Sequence, residues 1–233
     1  MSMFRSLLMA NAMKPPPPVR PSGGLHTLFE ALNNTGLGVL DPNTRTWVDL
    51  ARGKNGTLLD QASWGADCVH LGTTTGSKVS FPGDLPTGLG DYTVSVTMMF
   101  RARSGTYPRI MGENPYPTIY ANSASSFVWR YYMGSSDLNF KPDTYADAGV
   151  REQLLVRYKT STKIVEFFRN GVKAGELTNV VAASGVATAY MAGRANNDRT
   201  SPLDVSSYAL WTRAFTDDEI AQNFAVDQML YGL

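Results

Sequence analysis

Residues 206–220 read SSYALWTRAFTDDEI, a stretch that combines a strand, a tight corner and the beginning of a helix. Apolar residues occupy both faces of the strand at a period of two: Val205, Ala209 and Trp211 on one face, and Tyr208 and Leu210 on the other. A strand that is apolar on both faces is usually covered on both faces. We therefore expect this strand to lie in the interior, with Trp211 in the core.

The helix that follows has a well-marked start. Thr216 lies three residues before Glu219, which is the spacing of the reciprocal capping box. Phe215 precedes the cap and is placed to contact Ile220 as a hydrophobic staple. Asp217 adds negative charge at the positive end of the helix dipole. The stretch predicts a short C-terminal helix that closes the fold.

Composition limits the classes of protein to consider. The chain has 233 residues, an apolar share of 43%, a charged share of 18% and a formal net charge of +1. This length allows one large β domain or two small ones. Because the sequence contains no basic run and no apolar run of about 20 residues, we expect neither a nucleic-acid partner nor a membrane span. The single cysteine, Cys68, excludes an internal disulfide.

From Leu25 onward the pattern is rich in short strands separated by turns. Residues 91–100, DYTVSVTMMF, show the cleanest alternation of apolar and polar positions. Asn170-Gly171 is a strong signal for a two-residue hairpin turn, because both positions tolerate a positive φ. About a dozen strands and one helix predict an all-β fold, a two-sheet antiparallel sandwich with a C-terminal capping helix.

The first 24 residues differ in composition from the rest. Residues 14–21, KPPPPVRP, cannot form a helix or a central strand, and they predict an extended polyproline II segment. Four apolar residues precede this segment and predict an anchor into another protein: Phe4, Leu7, Leu8 and Met9. The alternative is a disordered terminus. We thus divide the chain into an N-terminal arm, 1–24, and a sandwich domain, 25–233.

Two stretches resemble a known family. Residues 208–220 resemble the C-terminal signature of laminin-G-like, concanavalin-A-like jelly-roll domains, in which the last strand leads into a T/S-D-x-E-I helix. Residues 46–56, TWVDLARGKNG, are similar to the W-x-D-L-S-G-N-G opening of bacterial and phage members. The resemblance implies a jelly roll over 25–233. Because the family includes lectins, adhesion modules, glycosidases and structural modules, it does not imply one activity.

Catalytic residues are not evident. Glycoside hydrolysis needs two carboxylates that face one bond, and none of the six glutamates lies in the glucanase pattern of the family. With a two-residue turn at Asn170-Gly171, Glu166 would face Gly175 and lie diagonal to Glu176 as a possible acid pair, but an exposed charged hairpin is the simpler interpretation. The two histidines, His26 and His70, lie in no nucleophile-like context. We therefore predict that the protein is not an enzyme, with a glycan-degrading hydrolase as the alternative.

Metal ligands are also sparse. Cys68 and His70 could share one strand face, but they are too few for a transition-metal site, and a buried structural cysteine is expected. The family resemblance implies calcium at the rim of the sandwich, and suitable oxygen donors exist: Asp137, Asn139, Asp143, Asp147 and Asp204. Since these residues form no Asp-x-Asp-x-Asp cluster, we predict no metal or cofactor, and calcium is the alternative.

Aromatic and planar polar residues concentrate in residues 103–133 and suggest carbohydrate binding. Tyr107, Asn114 and Tyr116 lie in loops interrupted by proline, where exposed aromatic residues often make contacts. In residues 127–133, FVWRYYM, alternation places Arg130 and Tyr132 on the outward face. These five residues are the predicted carbohydrate-binding site. The alternative is contact with protein, including a neighbouring subunit.

These observations lead to a functional hypothesis. We predict a non-enzymatic surface module of a phage or prophage particle, made in the host cytoplasm and placed on the virion surface. The arm would bind other virion proteins, and the sandwich would contact host-surface glycans or neighbouring copies. Residues 3–10, MFRSLLMA, also resemble the start of small virion proteins of gut phages. A secreted carbohydrate-binding adhesion module is a further alternative.

Overall fold

The computed structural model describes residues 16–72, 77–86, 89–102, 109–111, 118–121, 129–133, 136–139, 148–178, 180, 186–193 and 202–233. The strands are β1 Leu25–Glu30, β2 Thr46–Trp47, β3 Gly56–Leu59, β4 Ser63–Trp64, β5 Val69–Leu71, β6 Lys78–Pro82, β7 Tyr92–Phe100, β8 Arg109–Met111, β9 Thr118–Ala121, β10 Trp129–Met133, β11 Ser136–Asn139, β12 Arg151–Lys159, β13 Ile164–Arg169, β14 Val172–Leu177, β15 Thr188–Met191 and β16 Leu203–Trp211. A 3-10 turn, Ala31–Asn33, follows β1, and the helix α1 is Asp217–Tyr231.

The strands form two antiparallel sheets. Sheet A has the order β14-β13-β12-β7-β16-β5-β4, and β1 also pairs with β16. Sheet B has the order β11-β10-β9-β8-β15-β6-β3-β2. Each sheet combines consecutive strands with neighbours from distant parts of the sequence, such as β7 with β16 and β6 with β15, as expected for a jelly-roll sandwich. The predicted fold class, an all-β sandwich with a C-terminal helix, is confirmed.

The main core lies between the two sheets. It combines Val94, Val96 and Met98 of sheet A with Phe81 and other residues of sheet B. The ring centroids of Phe81 and Tyr208 lie 5.4 Å apart across the interface. Because the inner faces of both sheets are apolar and interlocked in this way, removal of this surface from water is the main stabilising force of the sandwich.

The closing segment has the predicted structure. The Thr216 hydroxyl accepts a hydrogen bond from the Glu219 amide at 3.2 Å, and the Glu219 carboxylate accepts one from the Thr216 amide at 2.9 Å. Phe215 and Ile220 are buried in the same small cluster between α1 and sheet A, as the staple predicts. Trp211 is fully buried beside them, and its ring centroid lies 4.5 Å from that of Phe215. The capping box, the staple and the buried tryptophan are confirmed.

Two details of strand register differ from the sequence-based expectation. A bulge at Ser206 moves Val205 into the core between the sheets, away from the face that carries Ala209 and Trp211. A second bulge, between Phe167 and Phe168, shifts β13 against β14. An extra residue in one strand displaces all later pairings by one position, and strict alternation cannot anticipate it.

The outer face of sheet A carries polar side chains that the helix covers. Asn223 of α1 donates to the Ser95 hydroxyl at 3.1 Å, and Asp227 accepts from Thr97 at 2.5 Å and from Gln153 at 2.6 Å. All five side chains are buried. The face of β7 that alternation marks as polar is thus an interior face with satisfied hydrogen bonds, and α1 is held by a polar layer as well as by apolar contacts.

The described part of the N-terminal arm is bound to this layer. The Arg20 guanidinium donates to Asn223 at 2.9 Å, to Glu30 at 2.8 Å and to Asp227. The Pro21 carbonyl accepts a hydrogen bond from the Trp211 indole at 2.7 Å. The segment that follows the proline run therefore lies on the domain. The anchor residues Phe4, Leu7, Leu8 and Met9 lie outside the described residues.

Candidate functional site

The outer end of sheet B can be assigned to its two faces from strand register. Met191 of β15 is 1% exposed and lies in the core between the sheets. Register then runs from Met191 through four neighbouring strands, to Met111, Ile119, Tyr131 and Leu138. Directly paired residues on adjacent strands share a face. These apolar positions therefore form one row on the core face.

The positions between them lie on the opposite face and are polar or aromatic. One row contains Arg109, Tyr120, Arg130 and Asn139, which are paired in this order across β8, β9, β10 and β11. Arg109 and Met111 are two positions apart but fall in different rows because a bulge at Ile110, which is itself buried in the core, shifts the register between β8 and β9. The next row contains Thr118, Tyr132 and Asp137. Neighbouring strands lie about 4.8 Å apart, so consecutive members of a row occupy adjacent positions on this face. We call these seven positions the outer β8–β11 face.

Two of the predicted site residues, Arg130 and Tyr132, belong to this face, and β10 places them two positions apart on it. Tyr107, Asn114 and Tyr116 lie outside the described residues. The sequence reasoning did not single out Tyr120 and Asn139 as neighbours of Arg130. Their pairing depends on the register between the consecutive strands β9, β10 and β11, and period-two alternation within one strand carries no such information. The binding role of all these residues stays a prediction.

The glutamate pair on the β13–β14 hairpin is an ion-pair cluster. Asn170 and Gly171 have φ values of 50° and 75°, as a two-residue turn requires, and the bulge pairs Glu166 directly with Glu176 rather than with Gly175. Glu166 accepts from Arg157 at 2.7 Å and from Lys173 at 2.8 Å, and Lys173 also bonds Glu176.

The environment of Glu166 decides its protonation state. Burial opposes ionisation, but the hydrogen bonds and charges of Arg157 and Lys173 outweigh it and lower the pKa of Glu166 to about 2. A general acid needs a raised pKa so that it holds a proton near neutral pH. Glu166 is therefore unsuited to that role. The hairpin is charged as predicted, but only Glu176 is exposed, because Glu166 is buried.

A second cluster lies where β5 meets β16. His70 and Asp204 are directly paired in register, and His70 Nδ1 is 2.7 Å from a carboxylate oxygen of Asp204. Cys68 Sγ is 3.8 Å from the same nitrogen. Among the described residues, these three are the group whose donor atoms all lie within 4.8 Å of one another, close enough to hold a metal ion. From the sequence, only Cys68 and His70 were recognised as a pair on one strand.

This cluster does not have the geometry of a cysteine–histidine–aspartate catalytic triad. In such a triad the nucleophile and the carboxylate contact different nitrogens of the imidazole, whereas here both approach Nδ1 of His70. Burial and the charges of Asp204 and Asp67 also raise the pKa of the Cys68 thiol to about 12. A thiol with such a pKa is not an activated nucleophile.

Comparison with known proteins identifies the family. The sequence model of a laminin G family, described as the concanavalin A-like lectin/glucanases superfamily, matches residues 72–221, about two thirds of the chain. The protein belongs to this family. A search of curated proteins found no similar sequence. Within the described residues, no helix is both long enough and apolar enough to cross a membrane.

Solved structures with a similar fold include enzymes and toxin domains. Trypanosoma rangeli sialidase matches with a TM-score of 0.65 and 13% identity, over 89% of this chain and 33% of the sialidase. The same sialidase in complex with sialic acid matches with a TM-score of 0.66 and 17% identity, over 91% of this chain and 36% of the other. The binding domain of botulinum neurotoxin serotype D matches with a TM-score of 0.64 and 10% identity. The match covers 87% of this chain and 52% of the toxin domain.

These matches define the fold, and they correct one prediction. The chain spans about a third of the sialidases and about half of the toxin domain. We predicted from the lack of a glutamate motif that the protein is not an enzyme. The occurrence of the fold in sialidases and in a sialidase mutant with trans-sialidase activity contradicts that exclusion. The glucanase motif describes one way in which this superfamily arranges acids, so its absence does not exclude catalysis.

Proposed function

We propose that the protein is a carbohydrate-binding module whose sugar site is the outer β8–β11 face. The observation that carries the proposal is the row Arg109–Tyr120–Arg130–Asn139. Aromatic rings provide apolar platforms with a polar edge, and planar guanidinium and amide groups supply directed hydrogen bonds. This combination on one sheet face suits a sugar ring, whose faces are apolar and whose edges carry hydroxyls.

The arginines indicate the kind of sugar. Two guanidinium-bearing positions flank Tyr120 in the row. Arginine binds carboxylates with two parallel hydrogen bonds, and such charge-assisted bonds are about twice as strong as neutral ones. We therefore propose a preference for acidic sugars over neutral ones. The family of the chain, and the sialic acid complex of the sialidase with a similar fold, support the same ligand class.

Binding to a glycan array that contains neutral, uronic-acid and sialylated oligosaccharides tests this proposal. We expect acidic glycans to bind wild type and to bind Arg130→Ala and Tyr132→Ala at least about tenfold more weakly, since about 1.4 kcal/mol corresponds to each tenfold change in affinity. Lys54→Met is the control, because Lys54 is exposed and lies near β3, at the other end of sheet B. Lack of binding by wild type, or equal binding by the Arg130 variant, would contradict the proposal.

A hydrolase is the second candidate, favoured by the sialidases among the structures of similar fold. The same oligosaccharides, incubated with the protein and analysed for released monosaccharide, separate the two functions. Release that wild type produces and Arg130→Ala abolishes would assign the face to a glycosidase. Binding without release supports the binding module.

We also propose that residues 1–15 attach the domain to a larger assembly, and that this assembly is a virion surface. Two observations support attachment. Residues 3–9 are mainly apolar, and the contacts of Val19, Arg20 and Pro21 fix where the segment leaves the domain.

Deletion of residues 1–15 tests the attachment. This deletion keeps Arg20, so we expect the domain to fold with unchanged thermal stability. When the truncated form replaces the full chain in producing cells, we expect it to be absent from purified particles, as measured with an antibody against the domain. Equal amounts of both forms in the particle fraction would contradict the proposal, as would absence of the full chain from particles.

A further inference from the structure

The side chains of Cys68, His70 and Asp204 converge on one point at the β5–β16 pairing. His70 Nδ1 is the common neighbour, 2.7 Å from Asp204 Oδ1 and 3.8 Å from Cys68 Sγ. The donor atoms of all three residues lie within 4.8 Å of one another, close enough to hold one metal ion.

The donor types select the metal. A thiolate, an imidazole and a carboxylate are all common zinc ligands, and three protein ligands with water in the fourth position are typical of open zinc sites. Zinc–ligand bonds of about 2.0–2.3 Å in a tetrahedron place the donor atoms about 3.3–3.7 Å apart. The His70 Nδ1–Asp204 Oδ1 distance of 2.7 Å would lengthen by about 0.6 Å, and the His70 Nδ1–Cys68 Sγ distance of 3.8 Å would shorten by about 0.2 Å. Hard cations such as calcium favour all-oxygen sites, and a thiol does not supply one.

The surroundings hold the three side chains in place. Gly65 lies in the β4–β5 turn, and a Cβ at this position would lie 2.7 Å from His70 Nε2 and 2.8 Å from Cys68 Sγ. Its amide donates to the Cys68 carbonyl at 2.8 Å. The backbone of the turn therefore packs directly against the pair, which restricts its rotamers. Cys68 and Asp204 are about 4% exposed, so both side chains are shielded from water.

One positive charge lies beside the cluster. Arg101 Nε forms an ion pair with Asp204 Oδ1 at 2.7 Å, and the guanidinium also donates to the Leu71 carbonyl at 2.6 Å. A metal bound to Asp204 would share this carboxylate with Arg101. Arg151, the next cation, is paired with Asp67.

We propose that Cys68, His70 and Asp204 bind one Zn²⁺ ion, with water as the fourth ligand. The site joins β5 to β16, two strands that are far apart in the sequence. It is independent of the carbohydrate-binding face, which lies on the other sheet. Because the metal binds the folded chain through three side chains, it stabilises the native state by an amount that grows with the logarithm of the metal concentration divided by its Kd.

Titration of the full chain with CoCl₂, followed by displacement with ZnCl₂, tests the site. Cys68 is the only cysteine, so a thiolate-to-cobalt charge-transfer band can arise only from it. We expect this band in wild type, its loss in Cys68→Ala, and at least about tenfold weaker binding in His70→Gln and Asp204→Asn, because even outer-shell changes cost about 10–100-fold in metal affinity. The matched control is His26→Gln, the only other histidine, which should bind as wild type does.

Thermal unfolding with and without ZnCl₂ provides a second measurement. We expect zinc to raise the Tm of wild type and of His26→Gln, and to leave that of Cys68→Ala unchanged. Circular dichroism of each variant shows whether it folds, and His70→Gln, whose side chain is partly exposed, decides the result if Asp204→Asn does not fold. Absence of the charge-transfer band in wild type, or undiminished cobalt affinity in folded His70→Gln, would overturn the proposal.

Discussion

Replacement of Arg20 by methionine is expected to destabilise the domain by about 3–5 kcal/mol, which is typical when one partner of a buried ion pair is removed. The Arg20 side chain is 8% exposed, and that of its partner Asp227 is fully buried. Without the guanidinium, Asp227 keeps hydrogen bonds from Thr97, Gln153 and Ser207 but loses its counter-charge. Chemical denaturation at neutral pH measures the loss.

Two further variants show whether the effect comes from the buried charge. Lys54→Met removes a cation from an exposed pair, since the Lys54 and Asp84 side chains are 48% and 44% exposed, and should cost less than about 1 kcal/mol. The double variant Arg20→Met/Asp227→Asn should be more stable than Arg20→Met alone, because a neutral amide does not need a counter-charge. A loss below 1 kcal/mol for Arg20→Met would show that the arm contributes little to stability.

Replacement of Trp211 by alanine is the second large effect, with an expected loss of about 3–5 kcal/mol from the cavity and the lost transfer free energy. Trp211 is fully buried between sheet A and α1 and contacts Phe215. Its indole also donates to the Pro21 carbonyl at 2.7 Å. Trp211 thus connects the last strand, the corner before the helix and the N-terminal segment. Thermal or urea unfolding of Trp211→Ala measures the loss of stability.

Trp211→Phe separates packing from the hydrogen bond. Phenylalanine retains much of the apolar contact but cannot donate to Pro21, so we expect an intermediate loss of stability. It should also increase proteolysis within residues 16–24, because the carbonyl contact is gone. If the alanine and phenylalanine variants were equally stable, the ring would not be the reason for the stability of the closing segment.

The sequence predicted the fold well where the signals are local. The capping box at Thr216 and Glu219 and the turn at Asn170-Gly171 depend on residues within a few positions of one another, and both occur as expected. The bulges at Ser206 and beside Phe168 were missed. An inserted residue in a strand is stabilised by its neighbours in the sheet, so its position does not show in the alternation of one strand.

The candidate sites were predicted only in part, because they depend on contacts between strands, which the pattern of a single strand does not show. Alternation assigned Arg130 and Tyr132 to one face, but Tyr120 and Asn139 became their neighbours through pairing with β9 and β11. Cys68 and His70 are two residues apart and were recognised together. Asp204, which completes the cluster, is 134 positions from His70 and reaches it only because β5 pairs with β16.

Local patterns in the chain thus determined the secondary structure, the capped helix, the two-sheet class and the family, because period and capping depend on residues close in sequence. The tertiary structure alone decided which polar residues are interior. Ser95 and Thr97 alternate with apolar residues as on a solvent-facing strand, yet they are buried because Asn223 and Asp227 of α1 bond to them. A helix more than 100 positions away covers that face, and burial depends on what packs against a residue.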